Sequence, residues 1–163
     1  MPHINKLDLA YLAGIWDGEG CITVWRSKRP NGVDRYTCSI VLVNTNKTLI
    51  DNAERILGLV DVYPKIYHRT WKGNQKDNYQ LTSRNLDECE KVIKSLYPYL
   101  VSKKPQANLA LKFIKSRKLR LSKSKGWGHG TPYSKDEIKW SIEIQKMNRK
   151  GKQESSETKR QTL

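Results

Sequence analysis

The sequence predicts an α+β chain, αββαββα in order, with one antiparallel sheet, helices on one face of it, and further helices toward the C-terminus. Three observations carry this. Residues 21–44 and 65–84 each hold two alternating apolar–polar runs about a turn signal, the pattern of a β-hairpin. The segments between and after them place apolar residues at helical spacing. Each strand run is apolar at every second position only, so the sheet is covered on one side.

The first helix is expected over about residues 6–17. Leu7, Leu9, Leu12, Ile15 and Trp16 surround it, and a helix apolar on all sides is expected to be buried on all sides. Ala10, Gly14 and Gly18 recur every four residues and form a stripe with almost no side chain, along which another backbone can approach closely. The helix runs into "DGEG", which sets Glu19 at a helix C-terminus. An acid there opposes the partial negative charge of the helix end. Either Glu19 is a solvated surface acid or something positive sits beside it.

The first hairpin turns at Pro30-Asn31-Gly32. Ile22, Val24, Cys38, Ile40 and Leu42 share its apolar face; Thr23, Trp25, Ser27, Arg35, Thr37 and Ser39 share the other. A helix follows with Ile50, Ala53, Ile56 and Leu57 on one stripe. The second hairpin turns at Lys72-Gly73-Asn74, and parity places Lys65, Tyr67, Arg69, Trp71, Asn78, Gln80 and Thr82 on its polar face. Asn85 caps a helix over about 86–96, and Pro105 suits the first turn of the next. Residues 120–133 read as a basic Gly/Ser loop. Ser134 and Glu137 form a capping box for a last helix to about 149, with a polar tail over 150–163. The chain reads as a single domain over 1–149.

Charge narrows the class of partner. The 163 residues carry 31 basic and 16 acidic side chains, net +15. Residues 1–100 hold 14 basic and 11 acidic, residues 101–163 hold 17 and 5. That balance favours a polyanion, nucleic acid first. No apolar run reaches membrane-spanning length and no signal peptide is legible. Cys21, Cys38 and Cys89 are odd in number and far apart, which argues against a disulfide framework or a zinc site and for a reducing compartment. No nucleophile triad is legible, and His3, His68 and His129 make no metal pattern.

At this point the chain resembles a known family. "YLAGIWDGEGCI", residues 11–22, is similar to the signature of LAGLIDADG homing endonucleases, and αββαββα is that family's core order. "NTNKT" and "KKPQANLALKFI" are similar to the corresponding segments of its single-motif, homodimeric, intron-encoded members. The resemblance covers about residues 5–120.

The resemblance implies a sheet shaped as a saddle on DNA and two motif helices packed across a two-fold axis, with Ala10, Ala13, Gly14, Asp17 and Gly18 at the interface. It implies a double-strand break in a long pseudo-palindromic site, leaving 3′ overhangs. Glu19 would be the metal-binding acid of each copy, with the Gly18 carbonyl as a further ligand. Asp17 is expected to help terminate the helix. The cofactor implied is Mg²⁺, replaceable by Mn²⁺, with Ca²⁺ binding but not supporting cleavage, and it would be shared between the two sites. Asn46 matches the residue that holds the attacking water, though its position also suits a turn or helix cap. Lys103 matches the lysine near the phosphates, with Lys104 adjacent. A basic residue of the family falls on Ile50 here.

On this reading the two polar ribbon faces line the major groove, which admits a two-stranded ribbon. Lys28, Arg29, Lys72 and Lys76 at the tips, and Lys123 and Lys125 in the loop, are expected on phosphates. A plainly solvated sheet face fits poorly with Trp25 and Trp71. Two other activities use the same scaffold, an intron RNA maturase and a non-cutting DNA-binding regulator. The expected setting is an organelle or a prokaryotic cytoplasm.

Overall fold

In the computed structural model the described residues are 5–71, 73, 76–124 and 131–158, with side chains to 149. Lys72 and Lys125 lie outside them. Nine elements follow in order: α1 (Lys6–Glu19), β1 (Gly20–Lys28), β2 (Asp34–Asn44), α2 (Lys47–Gly58), β3 (Lys65–Arg69), β4 (Asn78–Ser83), α3 (Leu86–Leu96), α4 (Lys104–Ser122) and α5 (Lys135–Thr158). The αββαββα core is therefore followed by two helices, and α5 continues past the end expected near 149. The strands form one antiparallel sheet in the order β1-β2-β4-β3.

Local chemistry sets the helix starts. Asn5, Asn46 and Asn85 each accept a backbone N–H of the first turn that has no partner within the helix. Ser134 and Glu137 make the reciprocal capping box, Glu137 N–H to Ser134 Oγ at 3.1 Å and Ser134 N–H to Glu137 Oε2 at 2.8 Å. Gly32 closes the first hairpin at φ 77°, where a side chain would be strained.

The core lies between the sheet and the helices. Leu12 and Trp16 from α1 meet Ile22 and Val24, Ile40 and Leu42, Ile50 and Ile56, Leu81, Ile93 and Phe113 there. Helix α1 departs from expectation: it buries only Leu12, Ala13 and Trp16 completely. Leu7 is 75% and Tyr11 50% exposed, and a Cβ added at Gly14 or Gly18 would meet nothing within 4 Å. One side of α1 is thus open, because no element among the described residues covers it. Gly20 is the opposite case. A Cβ there would lie 2.3 Å from Trp16 Cδ1, so this glycine lets the buried indole lie against the start of β1.

Helix α5 seals the outer edge of the sheet. Ser141 Oγ and Gln145 Nε2 donate to Val24 O at 2.8 and 2.9 Å, and Asn148 Nδ2 donates to Ile22 O at 3.1 Å. These carbonyls lie on an edge strand with no neighbour on that side, and covering them removes a template for strand addition. Among the described residues no helix is long and apolar enough to cross a membrane.

Candidate active site and nucleic-acid interface

The C-terminal end of α1 gathers four of the predicted residues, Asp17, Gly18, Glu19 and Lys103. Helix α1 stops because Gly20 turns extended, its N–H closing on Trp16 O. Asp17 reaches across to the start of α4. Its carboxylate accepts the N–H groups of Val101 at 2.7 Å and Lys103 at 2.9 Å, and the Ser102 hydroxyl at 3.1 Å. Partial burial alone would push this carboxyl up, but the hydrogen bonds from Val101, Lys103 and Ser102 outweigh it and hold Asp17 below the usual carboxylate range. Asp17 therefore ties the last turn of α1 to the turn at residues 101–103 that leads into α4. Ala13 is fully buried in the core of the single chain.

This contact carries Lys103 into position. Its ammonium group donates to the Asp17 carbonyl, in the last turn of α1. A cation at a helix C-terminus is stabilised by the helix dipole, and this one also relieves the adverse placement of Glu19 in the same turn. Glu19 is exposed and makes no ion pair among the described residues. Gly18 is exposed beside it on the open side of α1. Asn46 follows β2 and its side chain accepts Leu49 N–H at 3.3 Å, so the helix-cap role is the one it plays within the chain. Ile50 is fully buried in the core, which leaves no room at that position for a solvated basic side chain.

The sheet face opposite the helices carries the expected polar residues, with three exceptions. Lys28, Arg35, Lys65, Tyr67, Arg69 and Trp71 are exposed, and Thr23, Trp25, Ser27, Arg29, Asn78 and Gln80 are half-buried; away from the sheet face, Lys76 ahead of β4 and Lys123 at the end of α4 are exposed as well. Thr37, Ser39 and Thr82 were expected at the surface but are 8%, 3% and 4% exposed. The register supplies the reason. Trp25 pairs with Thr37 and Thr23 with Ser39. Arg84 leaves the end of β4 beside Ser39, one position beyond the Ile40–Ser83 pair. Its guanidinium carbon lies 5.7 Å from the Trp25 ring centroid, so the two long side chains meet above the short ones of β2. Thr82 sits similarly at the floor of a recess of about 380 Å³ walled by Tyr63, Lys65, Tyr67 and Arg84. Arg84 is the residue that sequence reading missed. It continues the parity of Gln80 and Thr82, but the strand ends before it at Ser83.

A family model described as "LAGLIDADG-like domain" matches residues 6–96, which span the motif helix, both hairpins and α3. The chain belongs to the LAGLIDADG family. No curated protein matches this LAGLIDADG chain in sequence. Solved structures do match its fold. The homing endonuclease I-CvuI, solved with its target in the presence of Ca, aligns at 18% identity over 87% of this chain and 82% of its own, TM-score 0.62. An archaeal intron-encoded homing endonuclease complexed with DNA aligns at 18% identity over 87% and 84%, TM-score 0.64. The homing endonuclease I-TnaI aligns at 15% identity over 89% and 96%, TM-score 0.57. The α+β fold is therefore that of single-motif LAGLIDADG homing endonucleases.

Proposed function

We propose that the protein is a homodimeric, site-specific DNA endonuclease that hydrolyses one phosphodiester in each strand with divalent metal. The observation that carries this is the end of α1. Glu19 is presented, exposed and without an ion pair among the described residues, on a helix whose small-residue side is open, with the Lys103 ammonium fixed in the same turn. A second copy packed on Ala10, Gly14 and Gly18 brings two Glu19 carboxylates together. Two like charges held close repel each other, so the arrangement suits a cation between them.

The donor set fits Mg²⁺. Trp16 O and Asp17 O are already taken, which leaves the Gly18 carbonyl and the Glu19 carboxylate, both hard oxygen ligands of the kind this ion takes. When bound, the ion would lower the pKa of a water and stabilise the leaving 3′ oxygen. Lys103 would balance phosphate charge. Asn46 would orient the water with its amide nitrogen while its oxygen holds the helix cap. Binding would come from the sheet face, with Arg69, Lys65, Asn78 and Gln80 reading base edges and Lys28, Lys76 and Lys123 on phosphates. Several structures sharing the fold are DNA complexes, which supports this use of the sheet.

The test is incubation of the purified protein with Mg²⁺ and a duplex library enriched for bound sequences, followed by sequencing of cut ends. The reading predicts double-strand breaks with short 3′ overhangs at a pseudo-palindromic site. Enrichment without any cut in Mg²⁺ or Mn²⁺ would instead identify a binding regulator. The sedimentation mass at micromolar concentration should be that of two chains; a single-chain mass with full cleavage refutes the shared site.

A further inference from the structure

Strand β2 is longer than its partner β4. The two pair only over Ile40–Asn44, so residues 34–39 of β2 run on with β1 alone beside them. A notch of about 170 Å³ opens where β4 gives out, and Arg29, Arg35, Arg84 and Arg117 all line it together with Thr37 and Tyr133. None of the lining residues is acidic, and none of the four arginines makes an ion pair among the described residues.

Two of the four are fixed by aromatic rings rather than carboxylates. Arg84 lies over Trp25. Arg117 is 6% exposed, its guanidinium carbon 4.1 Å from the Tyr133 ring centroid, and it donates to Thr131 O and Pro132 O at 3.1 and 3.3 Å. A ring face or a carbonyl orients a guanidinium without cancelling its charge. Four like charges around one small notch repel each other unless an anion enters, and a guanidinium matches phosphate oxygens in a bidentate fork.

We propose that this notch is a phosphate-binding site, and that it clamps a backbone phosphate of the DNA where the duplex passes the outer end of the sheet. Arg84 and Arg35 contact the phosphate, while Trp25 positions Arg84 and Tyr133 positions Arg117. The proposal rests on the reading of the sheet as a DNA-binding surface.

The test uses the full chain and random-sequence duplex DNA, since a backbone contact does not depend on sequence. Arg84→Gln and Arg35→Gln change exposed residues outside the hydrophobic core. Each lost phosphate contact should flatten the slope of log affinity against log salt by about 0.9, so the deficit of each variant should shrink about 3.5-fold between about 50 and 200 mM salt. Arg84→Lys, which keeps the charge, should retain most of the slope. An unchanged slope in both glutamine variants overturns the clamp. A separate titration of the free protein with inorganic phosphate follows the Arg84 Nε–Hε resonance by NMR. Movement of that resonance, lost in Arg35→Gln, is expected. If the protein binds no DNA, the proposed function fails and this titration decides the notch alone; no movement refutes the site. Movement combined with an unchanged DNA slope means an adventitious ion only.

Discussion

Gly14 and Gly20 lie six residues apart and should respond to substitution in opposite ways. Gly20 has φ −80° and ψ 164°, a backbone that any residue adopts, so only space requires glycine there. A Cβ at Gly20 would meet Trp16 Cδ1, Cγ and Nε1 at 2.3, 2.6 and 2.7 Å, so the indole would have to retreat by about 1 Å to restore ordinary contact. Trp16 is fully buried and has nowhere to retreat without moving the core. Overpacking of this kind costs about 1–3 kcal/mol, and the three-atom clash puts Gly20→Ala at about 3. For a chain of this size that lowers the melting temperature by roughly 6–12 °C. Gly14 has open space instead, so Gly14→Ala should leave the fold intact and stabilise the helix by about 0.5–1 kcal/mol. Gly14→Leu should also fold but sediment as a single chain, because its side chain would occupy the space needed by a second α1. Urea unfolding at low protein concentration reads the fold, and sedimentation reads assembly. A Gly20→Ala variant as stable as the unsubstituted protein would refute the packing argument; a Gly14→Leu variant that stays dimeric would refute the use of the open side.

Ile50→Arg should not restore the family's basic residue but unfold the chain, since an unpaired charge at a fully buried position costs more than about 4 kcal/mol; a soluble variant with normal circular dichroism and unfolding midpoint contradicts this. Asp17 is held below the ordinary carboxylate range in the folded state, so its stabilising contribution is present at neutral pH and lost as pH falls through that lowered pKa. Asp17→Asn should therefore lower the urea midpoint more at about pH 7 than at about pH 3. Equal losses at both pH values would remove the charge from the explanation. Arg69→Ala, if Arg69 reads a base, should cost about 1–3 kcal/mol of binding and relax one position per half-site; uniform weakening over all sequences would reassign it to a phosphate.

Periodicity made the elements legible because both hairpins alternate cleanly and every core helix begins at a side chain that can cap it. The motif made Glu19 legible, and the position before "PQAN" made Lys103 legible. What periodicity hides is reach. Parity put Thr37 and Ser39 on the correct face of the sheet but could not show that Trp25 and Arg84, from strands on either side, would close over them. Asp17 and Ala13 make contacts that were hidden for a related reason. Both stand in the motif; one holds the turn at residues 101–103 and the other fills the core, and both facts depend on elements distant in sequence. The open side of α1 shows the reverse limit. Its apolar residues read as buried, and within one chain Leu7 and Tyr11 are not.

The most direct measurement on the central claim is cleavage by Glu19→Gln, which keeps the shape of the side chain and removes its charge. Binding is read in Ca²⁺ and cutting in Mg²⁺ on the same enriched duplex. The account predicts no detectable cutting, with binding within about tenfold of the unsubstituted protein, a difference of no more than about 1.4 kcal/mol, because the base contacts lie on the sheet and not at the end of α1. Cutting by Glu19→Gln at the rate of the unsubstituted protein would contradict it.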